Sequence, residues 1–454
     1  MARLLFRLSP FLLLIALPAT SSAQASPPPV RRARELVALI NTAQVAAVKA
    51  YVDSAFGGQM QGMPMEAHIG FVMGQHDESG GLTWVEATSV SPTSATAVVT
   101  GRLTGEPMAI GIRVAAEAPF RIEGIFRVPP PPAKTPARAI ATDAALAAEL
   151  GTYVGQLAAA DVFSGAVLVA RNRKVVFSKA YGQANKDFGT VNNLETRFNL
   201  GSMNKMFTSV AIAQLVEQGK VSYDDPLSKF LPNFPSPEAA KKIQVKHLLS
   251  HTSGLGSYFN DTFDQSSRAR YKTVDQMMTL AQGDSLAFEP GSRWSYSNTG
   301  MLVLGKVIEV ASGQDYFSYI REHVYRPAGM TRSDSYELDY VNANLAVGYE
   351  KEHQEDGTTR YHNNVFMHVI RGGPAGGGYS TVGDLLRFAE ALKGGKLVSA
   401  ATGIVGHSGG FPGISSNLDI FKGTGWVAVV RANYGGASQP VVEKIRALVT
   451  ARGR

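Results

Sequence analysis

The 454-residue chain contains no cysteine. That removes disulfides, thiolate metal sites and a cysteine nucleophile, so any nucleophile must carry oxygen or nitrogen. Charge is sparse as well: 18% of residues are Asp, Glu, Lys or Arg, and the net charge is +7. The basic residues are dispersed apart from Arg31, Arg32 and Arg34, so the basic stripe a nucleic-acid partner needs is missing and no such partner is expected. Gly372, Gly373, Gly376, Gly377 and Gly378 form a glycine-rich run, but no Lys-Ser/Thr follows it. A phosphate loop is therefore excluded, and a tight turn beside a cleft is expected instead. His247 and His251 have the spacing of a zinc-binding helix, yet no glutamate stands between them and no third ligand is indicated. They read as structural, with no metal and no cofactor. Beyond the first residues, no stretch is apolar for long enough to span a bilayer.

What is present begins with a secretory pattern. Arg3 and Arg7 precede an apolar run over 11–17 and the small residues Ser21, Ser22, Ala23 and Ala25. Residues 1–25 are expected to be a cleaved signal, which makes the protein periplasmic or secreted with no stable membrane span. An uncleaved anchor is the alternative.

Two domains suit this length. In the first, residues 30–128, apolar residues recur near period 3.6 over 31–56, as one helix or two broken near Asn41. Alternating stretches at 82–90, 95–103, 108–114 and 120–128 read as antiparallel strands. His68 and His76 read as surface or loop histidines. A proline-rich linker is expected over 129–138, where Pro129 to Pro132 and Pro136 cannot continue a sheet.

From 139 to 454 a helical pattern is followed by a hairpin over 163–181. A second hairpin over 414–433 precedes a final helix from Gln439. Pairing the hairpins gives one antiparallel sheet flanked by the first and last helices, with a separate helical lobe between, an α+β arrangement. A cleft between sheet and lobe is the default site.

Ser202 opens a strongly helical run that Gly219 ends, and Lys205 follows it by three residues. That spacing puts both side chains on one helix face, so the amine can reach the hydroxyl. The helix N-terminus adds potential that favours developing negative charge. A lysine of depressed pKa can take a serine proton. Alone, Ser-x-x-Lys is a weak signal.

Further segments add to it: Leu248-Leu249-Ser250-His251-Thr252-Ser253-Gly254-Leu255, Phe288-Glu289-Pro290-Gly291 leading to Tyr296-Ser297-Asn298, the run Gly376 to Thr381, and His407-Ser408-Gly409-Gly410. In this order they resemble the serine β-lactamase-related family of class C β-lactamases, D-alanyl-D-alanine carboxypeptidases and penicillin-binding-protein-like serine hydrolases. The similarity runs from about Phe163 to the C-terminus. It implies a β-lactamase/transpeptidase-like fold and hydrolysis of an amide, peptide or ester through an acyl-enzyme, with a small-molecule or peptide substrate, cell-wall-derived among the candidates.

By resemblance, Ser202 is the nucleophile, Lys205 the lysine sharing its proton, and Tyr296 the base of acylation and acid to the leaving group. Asn298 is the amide that orients lysine and substrate. The backbone amides of Ser202 and Gly410 form the oxyanion hole, and His407, Ser408 and Gly409 complete the third motif. Which of Lys205 and Tyr296 starts deprotonated stays open. The leading domain resembles the small cone-shaped α+β domains of the nuclear transport factor type.

Two departures matter. His407 stands where many β-lactamases of the family have lysine, so penicillin hydrolysis is not implied. Only residues 393–406 separate the preceding helix from the third motif, where relatives carry a longer stretch with another strand. An edge strand is expected to be missing or shortened. A penicillin-binding sensor or weakened enzyme that acylates without turnover is therefore the alternative function.

Overall fold

The computed structural model describes residues 26–130, 142–282, 285–399 and 406–451. The signal-like segment and the linker residues 131–138 lie outside the described residues. In the leading unit, helices Pro28–Thr42 and Val45–Ala55 are separated at Ala43, whose φ of 51° is left-handed. Leu36, Ile40, Val48 and Val52 turn inward. They bury against a four-stranded antiparallel sheet of Leu82–Thr88, Ser94–Gly101, Pro107–Val114 and Ile122–Val128, in sequence order.

A third long helix, Met65–Ser79, escapes the periodicity argument because few of its residues are apolar and Gly70 and Gly74 interrupt it. It corrects the reading of two histidines as surface or loop residues. Both lie on this helix. The His68 ring is buried and packs 4.9 Å from Phe56, and His76 Nδ1 meets the Ile40 carbonyl at 2.9 Å.

The main body is built on five antiparallel strands in the spatial order Gly406–Phe411, Ile414–Ile420, Trp426–Ala432, Gly165–Arg171 and Lys174–Tyr181. The two hairpins join where Trp426–Ala432 pairs with Gly165–Arg171. Side chains alternate across these two strands. Val167, Val169, Ala428 and Val430 pack beneath helices Asp143–Ala159 and Ser438–Thr450. Leu168, Val427 and Val429 face the helical lobe.

Arg431 points the same way as Val427 and Val429 and is fully buried. Among the described residues no carboxylate pairs with it. Its guanidinium donates instead to the carbonyls of Phe198 and Asn199 and lies 2.9 Å from Met203 Sδ, and burial pulls its pKa down to about 9. A buried charge normally costs more than any single contact returns. Here it ties the last central strand to the segment that leads into Ser202. The strand Gly406–Phe411 lies at the edge of the sheet among the described residues.

The hairpin Tyr349–His353 with Thr359–Asn363 lies between the two units. Asp77, on the helix Met65–Ser79, meets His353 Nε2 at 3.1 Å and Lys351 Nζ at 3.4 Å. Glu350, on the opposite face of the same strand, accepts from Gly413 N in the turn before Ile414. Lys49–Glu355 at 2.5 Å and Lys444–Glu106 at 2.9 Å are further ion pairs between the units. No helix of the described residues is long and apolar enough to cross a membrane.

Candidate active site

Ser202 sits in a single 3-10 turn, Gly201–Met203, that runs into the helix Asn204–Glu217. Gly201 starts the turn at φ 50°, and a Cβ there would come 3.2 Å from the Gly410 nitrogen. A side chain at this position would be strained and crowded, which explains the glycine.

The Gly-rich segment folds over the same turn. Gly377 N donates to Gly201 O at 3.2 Å, Leu200 N donates to Gly378 O at 2.6 Å, and Gly373 and Gly376 exchange backbone bonds. It is a tight turn against the backbone that leads into Ser202. A Cβ on Gly376 would approach Gly201 O to 2.9 Å, so the close contact depends on small residues.

Lys205 Nζ reaches Ser202 Oγ at 3.1 Å, Asn298 Oδ1 at 2.9 Å and the Ala375 carbonyl at 2.5 Å. All three partners are neutral. The side chain is 2% exposed, and burial without a carboxylate lowers its pKa to about 7. A lysine at that value exists in both protonation states near neutrality, which a proton acceptor for serine requires.

Tyr296 OH donates to Ser202 Oγ at 2.8 Å. Burial raises its pKa, and its bond to Ser202 opposes this only in part. The phenol therefore holds its proton at neutral pH. With these opposite shifts, the Lys205 amine is closer than the Tyr296 phenol to losing its proton at neutral pH.

The placement of Tyr296 follows from a helix cap. Ser297 is the N-cap of helix Asn298–Ser312, with its hydroxyl accepting from Gly300 N at 2.8 Å and donating to Gly256 O at 2.8 Å. Tyr296 and Asn298 flank this fixed point. Asn298 Nδ2 donates to Ser257 Oγ at 3.2 Å, which leaves its Oδ1 for Lys205.

His251 grips the same segment. Its ring lies 4.6 Å from the Tyr296 ring and its Nδ1 accepts from Ser297 N at 3.2 Å. Burial first, then the charges of Lys205 and His407, lower its pKa to about 4, so it is a neutral acceptor. For lack of a glutamate between them and of a third ligand, the sequence reads His247 and His251 alike, as structural. His247 Nδ1 does accept the Gln244 N–H as a helix cap, whereas His251 lies against the Tyr296 ring.

The third motif lies on the strand Gly406–Phe411. A Cβ on Gly409 would fall 2.2 Å from Leu200 O and 3.0 Å from Ser202 N, and one on Gly201 would come 3.2 Å from Gly410 N, so the strand runs against the turn that holds Ser202. The His407 ring turns to the Ser408 carbonyl. Burial lowers its pKa; the Ser408 carbonyl opposes this and the Lys205 charge adds to it.

Ser202, Tyr296, Asn298 and Gly410 open onto a cavity of about 360 Å³, whereas His407, Ser408 and Gly409 do not line it. Sequence reasoning missed its apolar wall of Tyr258, Phe259, Val369, Phe411 and Ile414, which belongs to no motif. One trace is visible in the sequence: Asn260 caps the short helix Asp261–Gln265 and so fixes Phe259. No Asp, Glu, Lys or Arg lines this cavity among the described residues.

The profile of the Beta-lactamase family matches residues 150–441, more than half of the chain. The chain belongs to the β-lactamase family. PbpX of Bacillus subtilis is 33% identical over 237 residues, 52% of this chain and 56% of that protein. The alignment thus spans little more than half of that relative. A penicillin binding protein from Bacillus halodurans superposes with a TM-score of 0.58 at 29% identity, covering 63% of this chain and 97% of that one. A D-stereospecific amidohydrolase from Streptomyces sp. gives 0.52 at 25% identity, covering 63% and 94%. The β-lactamase/transpeptidase-like fold implied by the sequence motifs is the fold of this chain, and its family is one of serine hydrolases.

Proposed function

We propose that this β-lactamase-family protein is an exported hydrolase that cleaves an uncharged amide or ester through an acyl-enzyme on Ser202. The observation that carries this is the convergence of Lys205 Nζ and Tyr296 OH on Ser202 Oγ, with the lysine near neutrality. Neutral Lys205 takes the Ser202 proton as Oγ attacks the carbonyl carbon. The resulting oxyanion is held by the N–H groups of Ser202 and Gly410. Tyr296 passes its proton to the leaving nitrogen or oxygen as that bond breaks, and Lys205 returns a proton to Tyr296. Water then attacks the acyl-enzyme, its proton going to the same pair, and the acid leaves with Ser202 restored.

The uncharged substrate follows from a cavity without a cationic wall and from His407, a neutral imidazole at pH 7 where a fixed cation would hold a carboxylate. The likeness to a D-stereospecific amidohydrolase supports an amide among the substrates. Export rests on the signal pattern of residues 1–25. The deciding experiment incubates the protein and Ser202→Ala with chromogenic esters, amino-acid amides and a fluorescent penicillin. Turnover and a mass adduct, both lost in Ser202→Ala, are expected; a stable penicillin adduct without turnover of any substrate favours a sensor instead.

A further inference from the structure

The apolar wall of the cavity does not stop at its mouth. Phe259 and Phe411 face each other across 5.6 Å, and Phe259 is 40% exposed at the rim. From Phe411 the chain turns at Pro412, whose carbonyl accepts from Asn364 Nδ2 at 2.8 Å. Asn364 also takes the Gly348 N–H, so it is fixed from two sides. The next three residues, Val365, Phe366 and Met367, are 48%, 86% and 42% exposed, and His368 and Val369 after them line the cavity.

Residues 365–367 therefore bridge the Phe411–Pro412 turn and the cavity wall. Phe366 Cα is two residues from His368, within about 7 Å along the chain. Three consecutive exposed apolar side chains directly precede His368 and Val369 of the cavity wall, and contiguous exposed apolar surface marks a binding site. Burial also keeps His368 below its ordinary pKa, so that side of the wall is uncharged.

Resting on the acyl-enzyme reading above, we infer that the cavity wall and the 365–367 lip form an acyl-group subsite for medium-length unbranched or aromatic apolar chains. The acyl side is favoured by position. Tyr296 serves the departing group, whereas Phe411 directly follows the Gly410 amide that holds the carbonyl oxygen, so it borders the group that stays.

The experiment compares p-nitrophenyl acetate, butyrate and octanoate, which share one leaving group. A buried methylene is worth about fourfold, so octanoate is expected to exceed acetate in kcat/KM by at least ~30-fold. Phe366→Ser and Phe259→Ser are each expected to cut that ratio by ~3-fold or more while the melting temperature of the exposed Phe366→Ser variant stays unchanged. A ratio within twofold of one, or one insensitive to both substitutions, overturns the subsite and leaves the acyl-enzyme standing. A chain-length preference confined to the alcohol side of alkyl acetates overturns it too.

A second measurement needs no turnover. Octanamide is expected to bind Ser202→Ala at least ~10-fold more tightly than acetamide by calorimetry; equal affinities overturn the subsite. If no ester is hydrolysed but octanamide binds preferentially, the subsite stands and the hydrolase reading falls.

Discussion

At neutral pH the Lys205 amine divides between two protonation states, because its partners are a hydroxyl, an amide and a carbonyl rather than a carboxylate. Only the neutral amine can take the Ser202 proton. Its fraction grows as pH rises through about 7, so kcat/KM should fall about tenfold per unit below that value. Tyr296, shifted upward, keeps its proton throughout this range. A pH profile flat from 5 to 8 would remove Lys205 as the base. Lys205→Ala and Tyr296→Phe should each cost at least ~100-fold, the usual worth of a general acid or base.

His407 lies below its ordinary value near 6.5, so it gains charge only under mildly acid conditions. For paired substrates with and without a carboxylate, His407→Lys should raise the specificity ratio toward the charged member at pH 7. In the unmodified protein that preference should grow only as pH falls below about 6.5. Identical ratios in both proteins at every pH would mean that residue 407 does not sense the carboxylate. Ser202, Lys205 and Tyr296 were singled out through the family resemblance of their motifs, and the structure brings the three side chains together. The role of His251 was not readable, since stacking on a tyrosine 45 residues away leaves no local pattern.

At the scale of elements, two short pieces hold the geometry. The Ser297 cap fixes the start of its helix between Tyr296 and Asn298, and losing such a cap costs ~1–2 kcal/mol. Ser297→Ala should lower thermal stability by that amount and reduce kcat more than it raises KM; an unchanged melting curve would show the cap to be dispensable. The strand Gly406–Phe411 depends on Gly409, where a methyl group would meet Leu200 O and Ser416 Oγ. Gly409→Ala should push the Gly410 amide away from Ser202 and cost at least ~100-fold in kcat, the worth of one oxyanion donor. The hairpins and the terminal helices were legible because alternation and 3.6-residue periodicity are local signals, and the pairing of the hairpins followed from closing them into one sheet. Helix Met65–Ser79 was not legible, because its weakly apolar face buries a histidine rather than a leucine.

For the whole molecule, charged pairs link the leading unit to the main body, and Leu103 packs against that body's core. Burial raises the Asp77 carboxyl, but the His353 hydrogen bond and the Lys351 charge outweigh it and leave the group below its ordinary value. A depressed carboxyl adds stability above its unfolded pKa of about 4 and loses it as pH falls further. Acid titration should therefore loosen the unit contact below about pH 4, and Asp77→Asn should abolish that part of the pH dependence. Amide hydrogen exchange of the Tyr349–His353 hairpin strand across pH would read this out. A chain begun near Ala137 is expected to keep the acyl chemistry, since the catalytic side chains and their partners all follow that point. The contact between residues 77 and 353 could not be read from the sequence, because the two share no pattern in it.

The strand Tyr349–His353 carries obligations on both faces. Lys351 and His353 face Asp77, while Glu350 takes the Gly413 amide behind Phe411. Because successive side chains alternate, insertion or deletion of a single residue in this strand would exchange the faces. Glu350 would then meet the Asp77 carboxylate, and a lysine would stand at the Gly413 amide. A one-residue insertion in this strand is therefore expected to loosen the contact with Asp77 and the Gly413 turn together, whereas one in the hairpin's turn leaves both in place.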